Sequence, residues 1–409
     1  MSEINTSFPP LNEQMDLIRR GAVDLISEED LAKKIERARA QKKPLIVKFG
    51  ADPSTPDLHI GHSVVLRKLR TFQDLGHQST LIIGDFTAMI GDPSGRQKTR
   101  PMLSLEETAH NAESYVDQVS RILDKTKLKI LYNSTWLNPM SFTDVIKLAG
   151  TYTVSQMLER EDFHKRFDAE QPISLHEFLY PLAQGMDSVA IHSDVELGGT
   201  DQKFNLLVGR ELQRHFGEEP QCILTMPLLE GVDGVRKMSK SYGNSINFSD
   251  SPDDMFGKTM SIPDTLIYKY FELVTDILDL PAVKQELEDK ETNPRNLKVR
   301  LGQEIVRNFY GEDAAREAYD KFTTMFVKKE IPDDIEEFEM TSRDPVSLVN
   351  FIVERELAPS KNEARRLIEG GGVSLGGEKV IDAKTTFSPS PSGTVLKVGK
   401  RKFLKVIAK

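Results

Sequence analysis

The residues best suited to chemistry fall in three short stretches. "HIGH" sets His59 and His62 three residues apart, and "RKMSKSYGN", Arg236 to Asn244, places Arg236, Lys237 and Lys240 within five residues beside a glycine-rich approach, "EGVDGV". Histidines at i and i+3 in the first turn of a helix share one face. Free N–H groups and the helix dipole favour an anion there, so two further donors would cradle a polyphosphate; the alternative is a pair of surface or capping histidines. Lys237 and Lys240, with Ser241 beside them, are costly to bury unpaired, and a glycine-flanked, mobile loop can swing them onto phosphate oxygens. The alternative there is a solvated turn. In the third stretch, "YPLAQGMDSVAIHSDVELGGTDQKFN", Tyr180, Gln184 and Asp187 recur at i, i+4 and i+7 and share a helix face. Such a face suits the wall of a small-molecule pocket, or else a wet helix surface. Displacement at phosphorus relies on positioning and charge stabilisation, so no catalytic triad is required. The absence of "GxxxxGK[ST]" and "HExxH" argues against a P-loop enzyme or a zinc hydrolase.

The elements that must position these residues alternate. "PLIVKFGA" and "STLIIGDFTA" read as buried parallel strands, with "HIGHSVVLRKLRTFQDLG" and "SLEETAHNAESYVDQVSRIL" as the helices that follow. "QCILTMPLLE" reads as a late strand of the same sheet. Loops rich in Gly, Asp and Pro at the strand ends predict an open α/β sheet with ligands in that crevice. The expected domains are a helical segment at 1–43, a nucleotide-binding domain with a helical insertion at 44–245, a helical domain at 246–335, an acidic linker at 336–343 and a small α+β domain at 344–409. The last carries 12 Lys+Arg against 7 Asp+Glu, although the whole chain stands at −9. A net acidic chain therefore still offers a basic face to nucleic acid. One cysteine, Cys222, precludes an intramolecular disulfide or a cysteine-cluster metal site. With no export-type N-terminal pattern and no run of 18 apolar residues, the expectation is a soluble, cytoplasmic protein without membrane contact.

"HIGH" followed far downstream by "KMSKS" resembles the signature of the class I aminoacyl-tRNA synthetases, whose Rossmann-like domain grips ATP while an amino acid carboxylate attacks the α-phosphorus. Together with "MIGDPSG" and "GGTDQ", the "YPLAQGMD" helix narrows the resemblance to the bacterial tyrosyl-tRNA synthetases, over almost the whole chain. The resemblance implies tyrosine, ATP with Mg²⁺ and tRNA(Tyr) as substrates and partners, a homodimer formed through the insertion, and no structural metal. It implies that Asp187 accepts from the substrate phenol, that Asp92, Tyr180 and Gln184 hold its ammonium group and that Gln202 lies near its carboxylate. A site that hydrogen-bonds a hydroxyl rejects the analogue lacking it by roughly 10⁴ to 10⁵, a range measured on this family itself. It further implies Ser54, His59, His62, Lys237 and Lys240 as catalytic groups. Gly50, Asp52, Gly61, Gly199, Asp201, Met238, Ser239, Ser241, Arg96 and Arg100 would surround ATP and the adenylate, Asp201 taking the ribose hydroxyls. One departure stands out: many members carry a tyrosine that donates to the phenol where this sequence has Lys48, which leaves the second phenol contact unassigned. Met186 stands where an aromatic ring is expected.

The C-terminal stretch "SLVNFIVERELAPSKNEARRLIEGGGVSLGGEKV" reads as helix, loop, helix and a glycine turn into a strand. It resembles a small RNA-binding module shared with a ribosomal protein and pseudouridine synthases. Lys361, Arg365 and Arg366 on its second helix and Lys400, Arg401 and Lys402 in the tail are the expected tRNA contacts. This module favours tyrosine over a tryptophanyl-type enzyme. A nucleotidyltransferase of another class with an HxGH loop would lack "KMSKS" and need no tRNA module, and the non-enzymatic rival is an RNA-binding paralogue without catalysis, which the intact set of His59, His62, Lys237, Lys240, Asp92, Asp187 and Asp201 argues against.

Overall fold

The computed structural model describes residues 8–53, 57–94, 105–289, 291–326, 335–340, 344–390, 393–399 and 402–408. Ser54, Arg96, Arg100, Lys400 and Arg401 lie outside the described residues. The chain divides into two compact units, residues 1–319 and 320–409.

The first unit is built on a six-stranded sheet. Its strands are β1 (Asp24–Ile26), β2 (Ile46–Ala51), β3 (Gln78–Ile83), β4 (Leu128–Tyr132), β5 (Val195–Gly199) and β6 (Cys222–Met226), in the order β1-β6-β5-β2-β3-β4. All neighbours run parallel except β1, which pairs antiparallel with β6. Helices cover the parallel strands, so β3 is buried from Ser79 onward and β6 throughout, with Leu81, Ile82, Ile83, Ile223 and Leu224 wholly buried. Chain order reverses between β2 and β5. The crevice outside the carboxyl ends of these two strands is therefore the expected ligand site.

Three further elements set the walls of that crevice. Helix Ile60–Asp74 leaves β2 and buries Ile60, Val64, Leu66, Leu69 and Phe72 at the period of an amphipathic helix. Helices Leu179–Ile191 and Lys203–His215 approach closely because Gly185 faces Gly209; a Cβ at Gly185 would stand 2.6 Å from Leu212 Cδ1 and 3.3 Å from Gly209 Cα. The insertion consists of short helices, among them Phe142–Ala149, Val154–Met157 and Glu161–Asp168, and leaves Phe142, Ile146, Val154, Phe167 and Leu175 exposed. Beyond the basic loop the chain is helical from Pro252 to Phe326, with no strand among the described residues of that stretch.

Two sequence expectations need amending. The segment 1–43 is not helical throughout, because helices Leu11–Arg19 and Glu28–Gln41 flank β1, whose three residues are too few to show a strand period. The expected linker at 336–343 contains β7 (Glu337–Met340), a strand of the second unit. β7 alternates exposed Glu337 and Glu339 with half-buried Phe338 and Met340, as suits an edge strand, and pairs parallel with β13 (Lys402–Ala408). The other strands of this unit are β8 (Val346–Ser347), β9 (Val373–Leu375), β10 (Glu378–Val380), β11 (Thr386–Phe387) and β12 (Thr394–Val398). They form a sheet β10-β9-β12-β13-β7 and a small β11-β8 ladder. Helices Leu348–Glu354 and Lys361–Glu369 pack Leu348, Phe351, Ile352, Ala364 and Ile368 onto it, against Val373, Leu396, Leu404 and Val406.

Candidate active site

A cavity of about 380 Å³ opens at the carboxyl ends of β2 and β5. Its lining includes the strand-end residues Gly50, Asp52 and Gly199, the "HIGH" turn, Asp92, the helix residues Tyr180, Gln184 and Asp187, then Asp201 and Gln202, and finally Lys237, Met238 and Ser239. Most residues singled out in the sequence therefore meet in one place. The "HIGH" turn is joined by main chain to the segment that follows the basic loop: Ile60 N–H donates to Ile246 O at 2.9 Å, and Phe248 N–H to Leu58 O at 2.8 Å.

His59 caps helix Ile60–Asp74, and its amide donates to His62 Nδ1 at 3.2 Å. Burial pushes the His62 imidazole down to about 4, so the ring is neutral near pH 7. With Nδ1 accepting, the proton sits on Nε2, which makes that nitrogen a donor. Burial, His62 and the loop lysines push His59 down to about 2. The rings lie tilted at 35° to each other with centroids 3.9 Å apart. Gly61 is required for this geometry, since a Cβ would stand 2.9 Å from His59 Nδ1.

The basic loop is anchored rather than free. Buried Asn244 accepts from Ser239 N–H at 2.8 Å and donates to Asp233 at 3.0 Å and to the carbonyls of Arg236 and Lys237 at 3.3 Å. Met238 N–H donates to Leu229 O and Gly231 N–H to Arg236 O, which closes the loop as a hairpin. Lys237 reaches Asp201 at 3.5 Å, where burial holds the carboxyl above its ordinary range and Lys237 opposes it. Lys240 turns outward to pair with Asp57, and Ser241 and Ser239 share a hydrogen bond. Lys240 and Ser241 are thus beside the cavity but not in its lining.

At the other end, Asp187 is buried and accepts from Trp136 Nε1 at 2.9 Å and from Asn133 Nδ2 at 3.5 Å. Burial pushes its carboxyl up to about 7, with Lys48 and Trp136 pulling the other way. Tyr180 donates to Asp52 at 2.9 Å, and burial with that carboxylate pushes its phenol well above the usual value. Asp52 also accepts from Thr87 at 2.7 Å. Gln202 donates to Asp92 at 2.8 Å, and Arg160 stands 3.6 Å from the same carboxylate. Lys48 is buried and paired with Glu196 at 3.0 Å. Met186 packs in the apolar cluster of Leu182, Val208 and Leu212.

Sequence reasoning missed Asn133, Trp136, Glu196, Thr87, Asp57 and Arg160. A signal existed for Glu196: it and Lys48 are opposite charges inside otherwise apolar strands, "DVELGG" and "IVKFG". On the second unit, Lys361, Arg365, Arg366 and Lys402 are exposed. Arg366 pairs with Glu363 at 2.7 Å, and Lys402 donates to Glu356 O at 2.8 Å.

The family described as "tRNA synthetases class I (W and Y)" matches residues 40–327, and the "Tyrosine--tRNA ligase SYY-like C-terminal domain" matches residues 327–406. Tyrosine–tRNA ligases are similar along their whole length. That of Thermotoga maritima is 54% identical over 396 residues, 96% of this chain and 97% of its own. That of Bdellovibrio bacteriovorus is 50% identical over 400 residues, 97% and 99% of the two chains. The crystal structure of tyrosyl-tRNA synthetase complexed with L-tyrosine from Archaeoglobus fulgidus shares the fold at 21% identity, with a TM-score of 0.62 over 76% of this chain and 100% of that one. With "HIGH" and "KMSKS" meeting at one crevice and both regions matched, the chain belongs to the bacterial-type tyrosyl-tRNA synthetases, a class I aminoacyl-tRNA synthetase family.

Proposed function

We infer that the crevice divides the reaction of the family, activation of tyrosine by ATP and transfer to tRNA(Tyr), among the residues as follows. Asp187 receives the substrate phenol, held for it by Trp136 and Asn133. Asp92, Tyr180 and Gln184 take the ammonium group, and Gln202 lies near the carboxylate that attacks the α-phosphorus. His62 Nε2–H and His59 contact the triphosphate from the helix end, and Asp201 takes the ribose. Lys237 and Lys240 hold the charge that moves onto pyrophosphate as it leaves, the kind of stabilisation on which displacement at phosphorus depends. ATP arrives with Mg²⁺ on its phosphates; among the described residues no group of three or more His, Cys, Asp or Glu side chains is placed to hold an ion.

The observation that carries this reading is Asp187, a buried carboxyl at the cavity wall with two fixed donors on one side. A carboxylate there accepts from the phenol hydroxyl, and since an indole N–H can donate as well, the choice of tyrosine over tryptophan rests on the similarity of residues 327–406 to the tyrosine–tRNA ligase C-terminal domain. Exposed Lys361, Arg365, Arg366 and Lys402, with Lys400 and Arg401, supply the tRNA contacts of the second unit. Two copies join through the apolar surface of the insertion, in which Phe142 is 80% and Leu175 84% exposed. Among the described residues no helix is long and apolar enough to cross a membrane, and the cytoplasm is the proposed location, in keeping with a single buried thiol. ATP–pyrophosphate exchange with each of the twenty amino acids tests the assignment. Tyrosine alone should stimulate exchange, and stimulation by tryptophan instead would overturn it.

A further inference from the structure

Lys48 on β2 and Glu196 on β5 are register partners across the parallel pair, with side chains 0% and 1% exposed. A buried ion pair is a weak source of stability, because desolvation offsets the Coulombic gain. What this pair supplies is direction. Glu196 gathers four donors: Lys48 Nζ and Gln184 Nε2 (3.2 Å) on one oxygen, Ser188 Oγ (3.2 Å) and Gln221 Nε2 on the other. A carboxylate offers about four lone-pair positions and no donor, so all its positions are filled. Lys48 also donates to the Gln184 carbonyl at 3.3 Å. The pair therefore grips Gln184 by main chain and side chain together.

This grip decides which end of the amide is left over. Because Glu196 can only accept, Gln184 must turn Nε2 toward it, and a flipped amide would set oxygen against oxygen. Gln184 lines the cavity, and its Oε1 is buried without a hydrogen-bond partner among the described residues. An unmatched buried acceptor calls for a donor from the ligand. We propose that the Lys48–Glu196 pair is a positioning pair for substrate selection, locking the Gln184 amide so that its oxygen is presented to the ammonium group of the amino acid. The pair faces Asp187 too, with Lys48 holding that carboxyl down and Glu196 pushing it up, so both ends of tyrosine are read against the same two charges.

This inference rests on the reading of Gln184 as an ammonium contact, and its test separates the two. Binding of tyrosine is compared with that of 3-(4-hydroxyphenyl)propanoate, which lacks only the amine, by competition in pyrophosphate exchange. The variants are Gln184→Ala, Glu196→Asp and Lys48→Met/Glu196→Met. Glu196→Asp keeps a charge for Lys48 but withdraws the acceptor from Gln184 by one methylene; the double variant removes it with an apolar pair, a replacement that buried ion pairs often tolerate. Both should lose about tenfold of the preference for tyrosine over the deaminated analogue, as should Gln184→Ala, while in Glu196→Asp and the double variant the KM for ATP stays within twofold. If Glu196→Asp and the double variant keep the parent's preference within twofold while Gln184→Ala loses it, the pair has no positioning role. An unchanged preference in Gln184→Ala overturns the ammonium contact itself. Should the double variant not fold, Glu196→Asp alone decides.

Discussion

Asp187 offers the sharpest test of the pocket, because its carboxyl is raised to about 7 and titrates in the working range. If the phenol donates to a carboxylate, only the ionised site is competent, and apparent affinity scales with the ionised fraction. That fraction is about one in eleven at pH 6 and ten in eleven at pH 8, so the Kd for tyrosine should fall about tenfold between them and level off above. The sign follows from the raised value: protonation is favoured in the free site, so binding strengthens as pH rises through 7. Few neighbours compete in this window. His59 and His62 titrate near 2 and 4, the Tyr180 phenol lies well above its usual value, and Lys48 and Glu196, which face Asp187 from β2 and β5, are paired with each other. The assay is at hand, since Trp136 is the single tryptophan of the chain and donates to Asp187. Equilibrium titration of its fluorescence with tyrosine from pH 6 to 8 gives Kd directly. In Asp187→Asn the dependence should vanish along with most of the affinity. A parent Kd constant within twofold over this range would show that the phenol is not read by an ionised Asp187.

Lys237→Ala should slow adenylate formation by about 10² to 10³, roughly 3 to 4 kcal/mol, while leaving the Kd of tyrosine unchanged; single-turnover measurement checks both. Deleting residues 327–409 should leave pyrophosphate exchange intact and reduce tRNA charging, and the truncated chain should show a shallower salt dependence of tRNA binding because phosphate contacts are lost. Loss of both activities would instead make the second unit a support for the first. Leu175→Asp, on the exposed apolar surface of the insertion, should shift the protein from dimer to monomer by sedimentation, and a dimer unchanged by it would place the interface elsewhere.

The legible parts of this molecule were those written locally. β2, β3 and β6 announce themselves as short β-branched runs, and "HIGH" and "KMSKS" carry their chemistry within a few residues. What stayed hidden depends on distant pairing. Glu196 matters because β5 lies beside β2, 148 positions away in sequence, and Trp136 because its indole meets a carboxylate 51 positions on. Neither adjacency has a sequence period. β7 was read as linker because Glu337 and Glu339 make an edge strand look like a solvated acidic run, and only pairing with β13 at the far end of the chain gives Phe338 and Met340 a surface to cover. Lys48 looked like a missing phenol donor, whereas burial beside Glu196 gives it another occupation.

Asn244 ties the hairpin of the basic loop at four points, in addition to the main-chain bonds that close it, so one side chain fastens the segment from Arg236 to Ser239 to its base. A loop fastened in this way moves as one piece. The cations at 237 and 240 then arrive at the phosphates together or not at all, and the free energy each contributes is not its own. Groups that act as a unit fail to add. Removing either lysine should cost nearly as much as removing both, and loosening this fastening through Asn244→Ala should weaken both without touching a charge.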